Sequence, residues 1–115
     1  MNFNEYQELS KRTMPAYGDF VEHRDTSCNY IIGLNGESGE LSDYLKKHLF
    51  HGHELDKDEL KKELGDVLHY LAGIATLYEI SLEDVAETNI TKLSKRYPNG
   101  FSVKDSMERV DVKEK

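Results

Sequence analysis

The sequence has a single cysteine, two prolines and no tryptophan, and it has no long hydrophobic run. With Cys28 alone there can be no internal disulfide, which fits a reducing compartment such as the cytoplasm. No stretch approaches the roughly 18 apolar residues that a membrane-spanning helix needs. The first residues also lack the apolar core of a signal peptide. We therefore expect a cytoplasmic protein that does not associate with a membrane.

The chain also has too few cations to balance its acids, and its formal charge is −7. A general nucleic-acid-binding protein presents a basic face, so we expect no nucleic-acid partner. An anionic small molecule is still compatible with this charge, because bound metal ions and a local basic cluster can reverse the field at one site. The length of 115 residues is near the commonest domain size, which predicts a single domain over residues 1–115.

Helical periodicity dominates the chain, and no segment alternates with the period of a strand. The pattern predicts a compact all-α fold, a bundle of about four helices. These should lie at about residues 4–13, 29–49 and 58–78, with a fourth that starts at a capping box at 81–84 and ends before Tyr97. Residues 14–28 show no clean period and predict a long loop or a broken helix. The charged segment 102–115 predicts a mobile arm or a strap across a partner, which leaves a core of about residues 29–101.

Two pairs of acids, each inside a predicted helix, give the strongest functional signal. They are Glu37-x-x-Glu40 and Glu63-x-x-Asp66. Residues three apart lie on one face of a helix, so each pair aims two carboxylates at one point. If the two helices pack together, four like charges converge, and such a cluster needs protons or cations. Mg²⁺ prefers oxygen ligands and commonly bridges to substrate phosphates, so the pattern predicts a magnesium-dependent phosphate enzyme.

The surroundings of the first pair favour a metal site over a solvated acidic face. Glu37 interrupts the apolar stripe of its own helix. Gly33, Gly36 and Gly39 stand close to it, although glycine costs about 0.8–1.0 kcal/mol relative to alanine inside a helix. We interpret these glycines as places where something approaches the backbone closely.

Three polar residues form one edge of the fourth predicted helix, because Asn89, Lys92 and Arg96 follow at steps of three and four. Lys92 offers a point charge and Arg96 a planar fork, and both suit phosphate. Taken alone, the edge would be a solvated helix end whose cations favour the helix dipole. Beside a carboxylate cluster, the pattern favours a phosphate clamp.

The histidines give weaker signals. His48, His51 and His53 surround a turn, but they lack a fourth zinc ligand at a recognisable spacing, and we interpret them as loop and helix-end residues. Asp66-x-x-His69 matches half of a di-iron ligand set. A di-iron bundle needs a Glu-x-x-His motif on each of two helices, and this chain has no second one.

Three blocks of the sequence resemble the MazG-like nucleotide pyrophosphohydrolases of the all-α NTP pyrophosphatase superfamily. The blocks are GLNGESGELSDYLKK, KKELGDVLHYLAGIA and SLEDVAETNITKLSKRYPNGF. The family signature is E-x-x-E, a spacer and E-x-x-D, and here the spacer is the 22 residues from 41 to 62. The resemblance covers about residues 29–101. It implies Mg²⁺-dependent hydrolysis of (deoxy)nucleoside triphosphates to the monophosphate and pyrophosphate, with Mn²⁺ as a substitute metal.

The resemblance also implies roles for particular residues. The metal ligands would be Glu37, Glu40, Glu63 and Asp66. The residues that handle the phosphates would be Asn89, Lys92 and Arg96, which match a downstream N-x-x-K-x-x-x-R block. We expect Glu37 or Glu40 to act catalytically by orienting or deprotonating the attacking water. Many relatives place a bulky aromatic residue where this chain has His69, so the preferred base and sugar stay open.

One subunit has too few long helices to cover both sides of a four-carboxylate site. We therefore expect a homo-oligomer, either a dimer or a tetramer, whose second subunit completes the bundle. Two other functions stay open at this point: a non-hydrolytic nucleotide- or metal-binding regulatory module, and a di-iron carboxylate redox protein. Pyrophosphate release would separate the enzyme from the binding module, and an iron assay would identify the redox protein.

Overall fold

The computed structural model describes residues 1–113. Its helices are α1 (Phe3–Ser10), a 3₁₀ helix (Lys11–Thr13), α2 (Phe20–Phe50), α3 (Lys57–Leu77), α4 (Leu82–Arg96), α5 (Val103–Glu108) and α6 (Val110–Lys113). There is no β-strand in this part of the chain, which confirms the predicted all-α class. Over the same residues, none of the helices is both long and apolar enough to cross a membrane.

Five of the helices begin at a side chain that accepts a hydrogen bond from a backbone N–H of the first turn, as favourable N-caps do. These caps are Asn2, Asp19, Asp56, Ser81 and Ser102. The Ser81 cap lies at the predicted capping box and accepts from the Asp84 N–H. The long helices therefore begin at local sequence signals.

The predicted long loop or broken helix over residues 14–28 is wrong beyond residue 19, because α2 starts at Phe20 and continues unbroken to Phe50. Asp19 caps this start by accepting from the Glu22 N–H at 2.8 Å. The buried side chains of the added turns include Thr26 and Ser27, which are polar. An apolar stripe is therefore missing from these turns, and the hydrophobic period does not reveal them.

The α2–α3 hairpin is held by a reciprocal exchange of tyrosines and glycines. The Tyr70 ring of α3 lies over Gly33 of α2, and the Tyr30 ring of α2 lies over Gly73 of α3. A Cβ atom at either glycine would overlap the facing ring. The Tyr70 ring is thus the close neighbour that a glycine inside a helix predicted for position 33. Because both glycines lack a side chain, α2 and α3 can approach closely here.

Helix α1 fastens the turn between α3 and α4. The Gln7 side chain donates to the Ile80 carbonyl at 2.9 Å and accepts from the Leu82 N–H at 2.8 Å. Asn4 accepts from the Ser81 hydroxyl at 2.8 Å. These bonds place the first turn of α4 against α1.

The subunit is more open than the predicted compact domain. Its radius of gyration is 17.4 Å, whereas a compact domain of this length has about 13 Å. Its accessible surface is 8547 Å², against roughly 6,500 Å² for a folded monomer of this mass. Exposed apolar side chains on α2, such as Ile32 and Phe50, contribute to this excess. The prediction of a compact subunit was wrong because the α2–α3 hairpin has packed only one of its faces.

The C-terminal segment carries the two short helices α5 and α6 in its described part. Helix α6 packs against α4. The mobility expected for residues 102–115 stays a prediction, and residues 114 and 115 lie outside the described part of the chain.

Candidate metal centre

Three of the four predicted acids converge between α2 and α3. One carboxylate oxygen each from Glu37, Glu63 and Asp66 lies within 4.8 Å of the other two. The convergence follows from the hairpin. Glu37 is one helical turn beyond Gly33, and Asp66 is one turn before Tyr70, whose ring covers that glycine.

The cluster contains carboxylate oxygens that lack a donor. Glu37 Oε2 and Glu63 Oε2 are both buried and have no hydrogen-bond partner among the described residues. Burial raises the pKa of Glu37, and the carboxylates of Glu40, Asp66 and Glu63 raise it further. A buried anion without a donor is unfavourable, and oxygen-rich donor sets of this kind suit hard divalent cations. The residues present therefore fit a metal such as Mg²⁺.

Glu40 lies at the edge of this cluster. Its side chain is exposed, and it is not among the three acids whose oxygens converge. It is close enough for its carboxylate to raise the pKa of Glu37. Its role as a fourth ligand stays a prediction.

The predicted basic edge lies on α4, which packs against α1, α3 and α6. Asn89 and Lys92 are exposed and line an open surface cavity of about 380 Å³ together with Thr88. Arg96 instead makes two hydrogen bonds to the Asp111 carboxylate of α6. Within residues 1–113, no hydrogen bond or ion pair joins these three side chains to the acid cluster. The structure therefore brings three of the four acids together, and in the described part of a single subunit no direct polar contact links the basic edge to them.

His69 lies one turn beyond Asp66, and its partners were not evident from the sequence. Its Nδ1 atom is 2.6 Å from the hydroxyl of Ser10. Its ring is near those of Tyr30 and Tyr70, with centroids 5.9 and 5.2 Å away. His69 is not part of the converging set, so the structure offers no support for a di-iron site. Ser10 is 59 residues away in sequence, and no local pattern could have identified the contact.

The histidines of the α2–α3 turn take the positions expected of loop and helix-end residues. His48 Nδ1 is 2.8 Å from the carbonyl oxygen of His53, which closes the turn. His51 caps the C-terminal end of α2. No metal-ligand set in the described residues includes these side chains.

An all-helical domain whose central hairpin gathers carboxylates has the features of a metal-binding helical domain. The family model of the MazG nucleotide pyrophosphohydrolase domain matches residues 25–101, about two thirds of the chain. The chain belongs to the MazG nucleotide pyrophosphohydrolase family, which confirms the resemblance drawn from its sequence blocks.

Two relatives extend this comparison. The chain is 36% identical over 73 residues to Gene 37 protein of Mycobacterium phage L5, an alignment that covers 60% of this chain and 64% of the phage protein. It is 46% identical over 96 residues to the uncharacterized protein YvdC of Bacillus subtilis (strain 168), covering 76% of this chain and 83% of that protein. No solved structure gives a significant match.

Proposed function

We propose that this protein hydrolyses (deoxy)nucleoside triphosphates to the monophosphate and pyrophosphate in a Mg²⁺-dependent reaction in the cytoplasm. The observation that carries the proposal is the convergence of Glu37, Glu63 and Asp66 within 4.8 Å, in a chain of the MazG family. The orphaned buried oxygens of the two glutamates support a role for this cluster in holding a cation.

In this proposal, the ligands of Mg²⁺, or of Mn²⁺ as its substitute, are Glu37, Glu63 and Asp66 in the cluster, and Glu40 at its exposed edge. The bound metal would supply charge neutralisation for the triphosphate and Lewis-acid polarisation of its phosphoryl oxygens. The acids hold it between α2 and α3, where the packing of Tyr70 on Gly33 fixes the spacing of the two helices.

The catalytic carboxylates in this proposal are Glu37 and Glu40. One of the two orients the attacking water or accepts its proton as the oxygen bonds to the α-phosphorus. The bond from the α-phosphorus to the bridging oxygen breaks, and pyrophosphate leaves.

The phosphates would be bound by the basic edge of α4. Lys92 and Asn89 line an open cavity and are accessible to a ligand. Arg96 adds a planar donor pair suited to phosphate oxygens once its ion pair with Asp111 opens. Phosphates carry no base identity, so this edge would act alike on all nucleoside triphosphates.

We further propose that the active form is a homo-oligomer, a dimer or a tetramer. Three observations support it: the excess accessible surface, the exposed apolar side chains of α2, and the open space at Gly36 and Gly39. A Cβ atom at either glycine would meet nothing within 4 Å, so the subunit itself does not use these gaps. Light scattering in solution would measure the mass, and a monomer would contradict this part of the proposal.

The test of function is pyrophosphate release from a panel of nucleoside triphosphates with Mg²⁺. We expect Glu40→Gln and Asp66→Asn to abolish turnover while circular dichroism stays helical, because each substitution keeps the shape and removes a negative charge. Asp58→Asn is the matched control, since this acid lies in the first turn of the same helix as Asp66 but is not among the converging acids. Near-normal activity in both cluster variants would contradict the assignment. Nucleotide binding without turnover by the wild type would favour the regulatory module.

A further inference from the structure

Helix α6 binds a cation of the basic edge through a two-pronged ion pair. Arg96 donates to both oxygens of Asp111, from Nε to Oδ1 at 2.7 Å and from Nη2 to Oδ2 at 2.8 Å. The Asp111 side chain is only 2% exposed and that of Arg96 is 15% exposed. A phosphate group binds the guanidinium fork in the same two-pronged way, so the carboxylate occupies the donors that a phosphate would need.

Other features of the described segment that carries Asp111 contribute little to its stability. Helices α5 and α6 have six and four residues, too few to be stable alone. Val103 and Met107 of α5 are 67% and 79% exposed, so this helix buries little apolar surface. Arg109, between the two helices, has φ of 50°, a left-handed conformation that is strained for a residue with a side chain. The Arg96–Asp111 pair is therefore a main specific link between α6 and α4.

The surroundings of the pair favour an anion. Asp111 and Lys92 line a common cavity of about 490 Å³, together with Glu87, Thr88, Thr91 and Lys95. Lys92 and Arg96 are one helical turn apart, and the positive charges of both lower the pKa of Asp111, Arg96 having the larger effect.

We propose that α6 is an intramolecular competitor for polyphosphate ligands, in which Asp111 holds the Arg96 guanidinium until a ligand displaces it. The proposal rests on the proposed phosphate role of Lys92 and Arg96. Displacement would exchange one charged acceptor for another, and it would release α6 from α4. The chain thus contains an autoinhibitory contact.

The first test measures the binding of inorganic tripolyphosphate by calorimetry in EDTA, so that neither a nucleoside nor a metal contributes. If the contact is closed about nine-tenths of the time, a ligand that must open it binds about tenfold more weakly than it would to the open form. We therefore expect Asp111→Asn to tighten tripolyphosphate binding by about tenfold. Glu108→Gln is the matched control, because it removes the same charge from the same segment. The ion pair of Glu108 is with Lys104 of the same helix, at 3.9 Å, and it does not involve Arg96. It should leave the affinity unchanged.

The second test uses the wild-type protein, so it does not depend on the folding of a variant. Saturating tripolyphosphate should accelerate backbone amide exchange over residues 103–113, while exchange in the α2–α3 hairpin stays the same. An unaltered or weaker affinity in Asp111→Asn, slower exchange in the segment, or no tripolyphosphate binding by either protein would overturn the proposal. Because neither readout involves hydrolysis, its failure is distinct from a failure of the enzymatic function.

Discussion

Replacement of Gly33 by alanine tests whether tyrosine–glycine packing positions the acid cluster. The added Cβ would lie 2.6 and 2.7 Å from two carbons of the Tyr70 ring, where ordinary contact begins at 3.4 Å. The ring has little room to withdraw, because it packs against Tyr30 and His69. Overpacking of this kind costs about 1–3 kcal/mol. The alanine also gains about 1 kcal/mol in helix propensity, so the single variant reports only the difference between the two effects.

A double-mutant cycle with Tyr70→Ala separates these contributions. In the Tyr70→Ala background the ring is absent, and Gly33→Ala should retain only the propensity gain. The coupling free energy should therefore be about 1–3 kcal/mol, or about 4–12 °C in melting temperature for a domain of this size. Thermal unfolding followed by circular dichroism measures it. An equal effect of Gly33→Ala in both backgrounds would refute the packing argument.

The same variant should also affect the metal centre. Glu37 is one turn from Gly33, so a displaced α2 separates its carboxylate from those of Glu63 and Asp66. Mg²⁺ at 100 times its dissociation constant should stabilise the wild type by about 2.7 kcal/mol, or roughly 10 °C. We expect a smaller Mg²⁺-dependent shift in Gly33→Ala at the same concentration. A full shift would mean that the helix spacing does not control the cluster.

Three further predictions concern single side chains. In EDTA at neutral pH, Glu37→Gln should melt above the wild type, because burial and then the neighbouring acids raise the pKa of Glu37 and disfavour its charged form in the folded state. As the pH falls through that raised pKa toward the ordinary 4.5, Glu37 takes up a proton and the gap should close; a gap independent of pH would contradict this. Ser27→Ala should melt at the same temperature or higher, because this hydroxyl is buried and has no hydrogen-bond partner in the described chain. A clear loss of stability would show that the hydroxyl bonds to the backbone of its own helix. Lys92→Ala should slow the hydrolysis of every nucleoside triphosphate by a similar factor, and a changed ranking of bases in the kinetic panel would place this residue in the base pocket instead.

The sequence by itself was enough to predict helices α3 and α4 and the acids of the candidate metal centre. The caps at Asp56 and Ser81 and the apolar stripes of α3 and α4 are local signals, so their bounds could be read to within a residue. The pairing of acids at helical spacing was equally local. It led to Glu37, Glu40, Glu63 and Asp66, and all of these but Glu40 converge in the structure. The start of α2 was missed because its buried turns carry Thr26 and Ser27 and so lack an apolar stripe.

Only the tertiary structure decided which of these residues meet. Glu37 faces the acids of α3 because Tyr70 packs on Gly33, and the depth of that packing depends on contacts between distant segments. The engagement of Arg96 by Asp111 depends likewise on how a short C-terminal helix returns to α4. Helical spacing places side chains on a face, but the partner across that face is chosen by the packing of the whole chain. For this reason the acids of the candidate site could be predicted from the sequence, whereas the convergence of only three of them and the pairing of Arg96 with Asp111 could not.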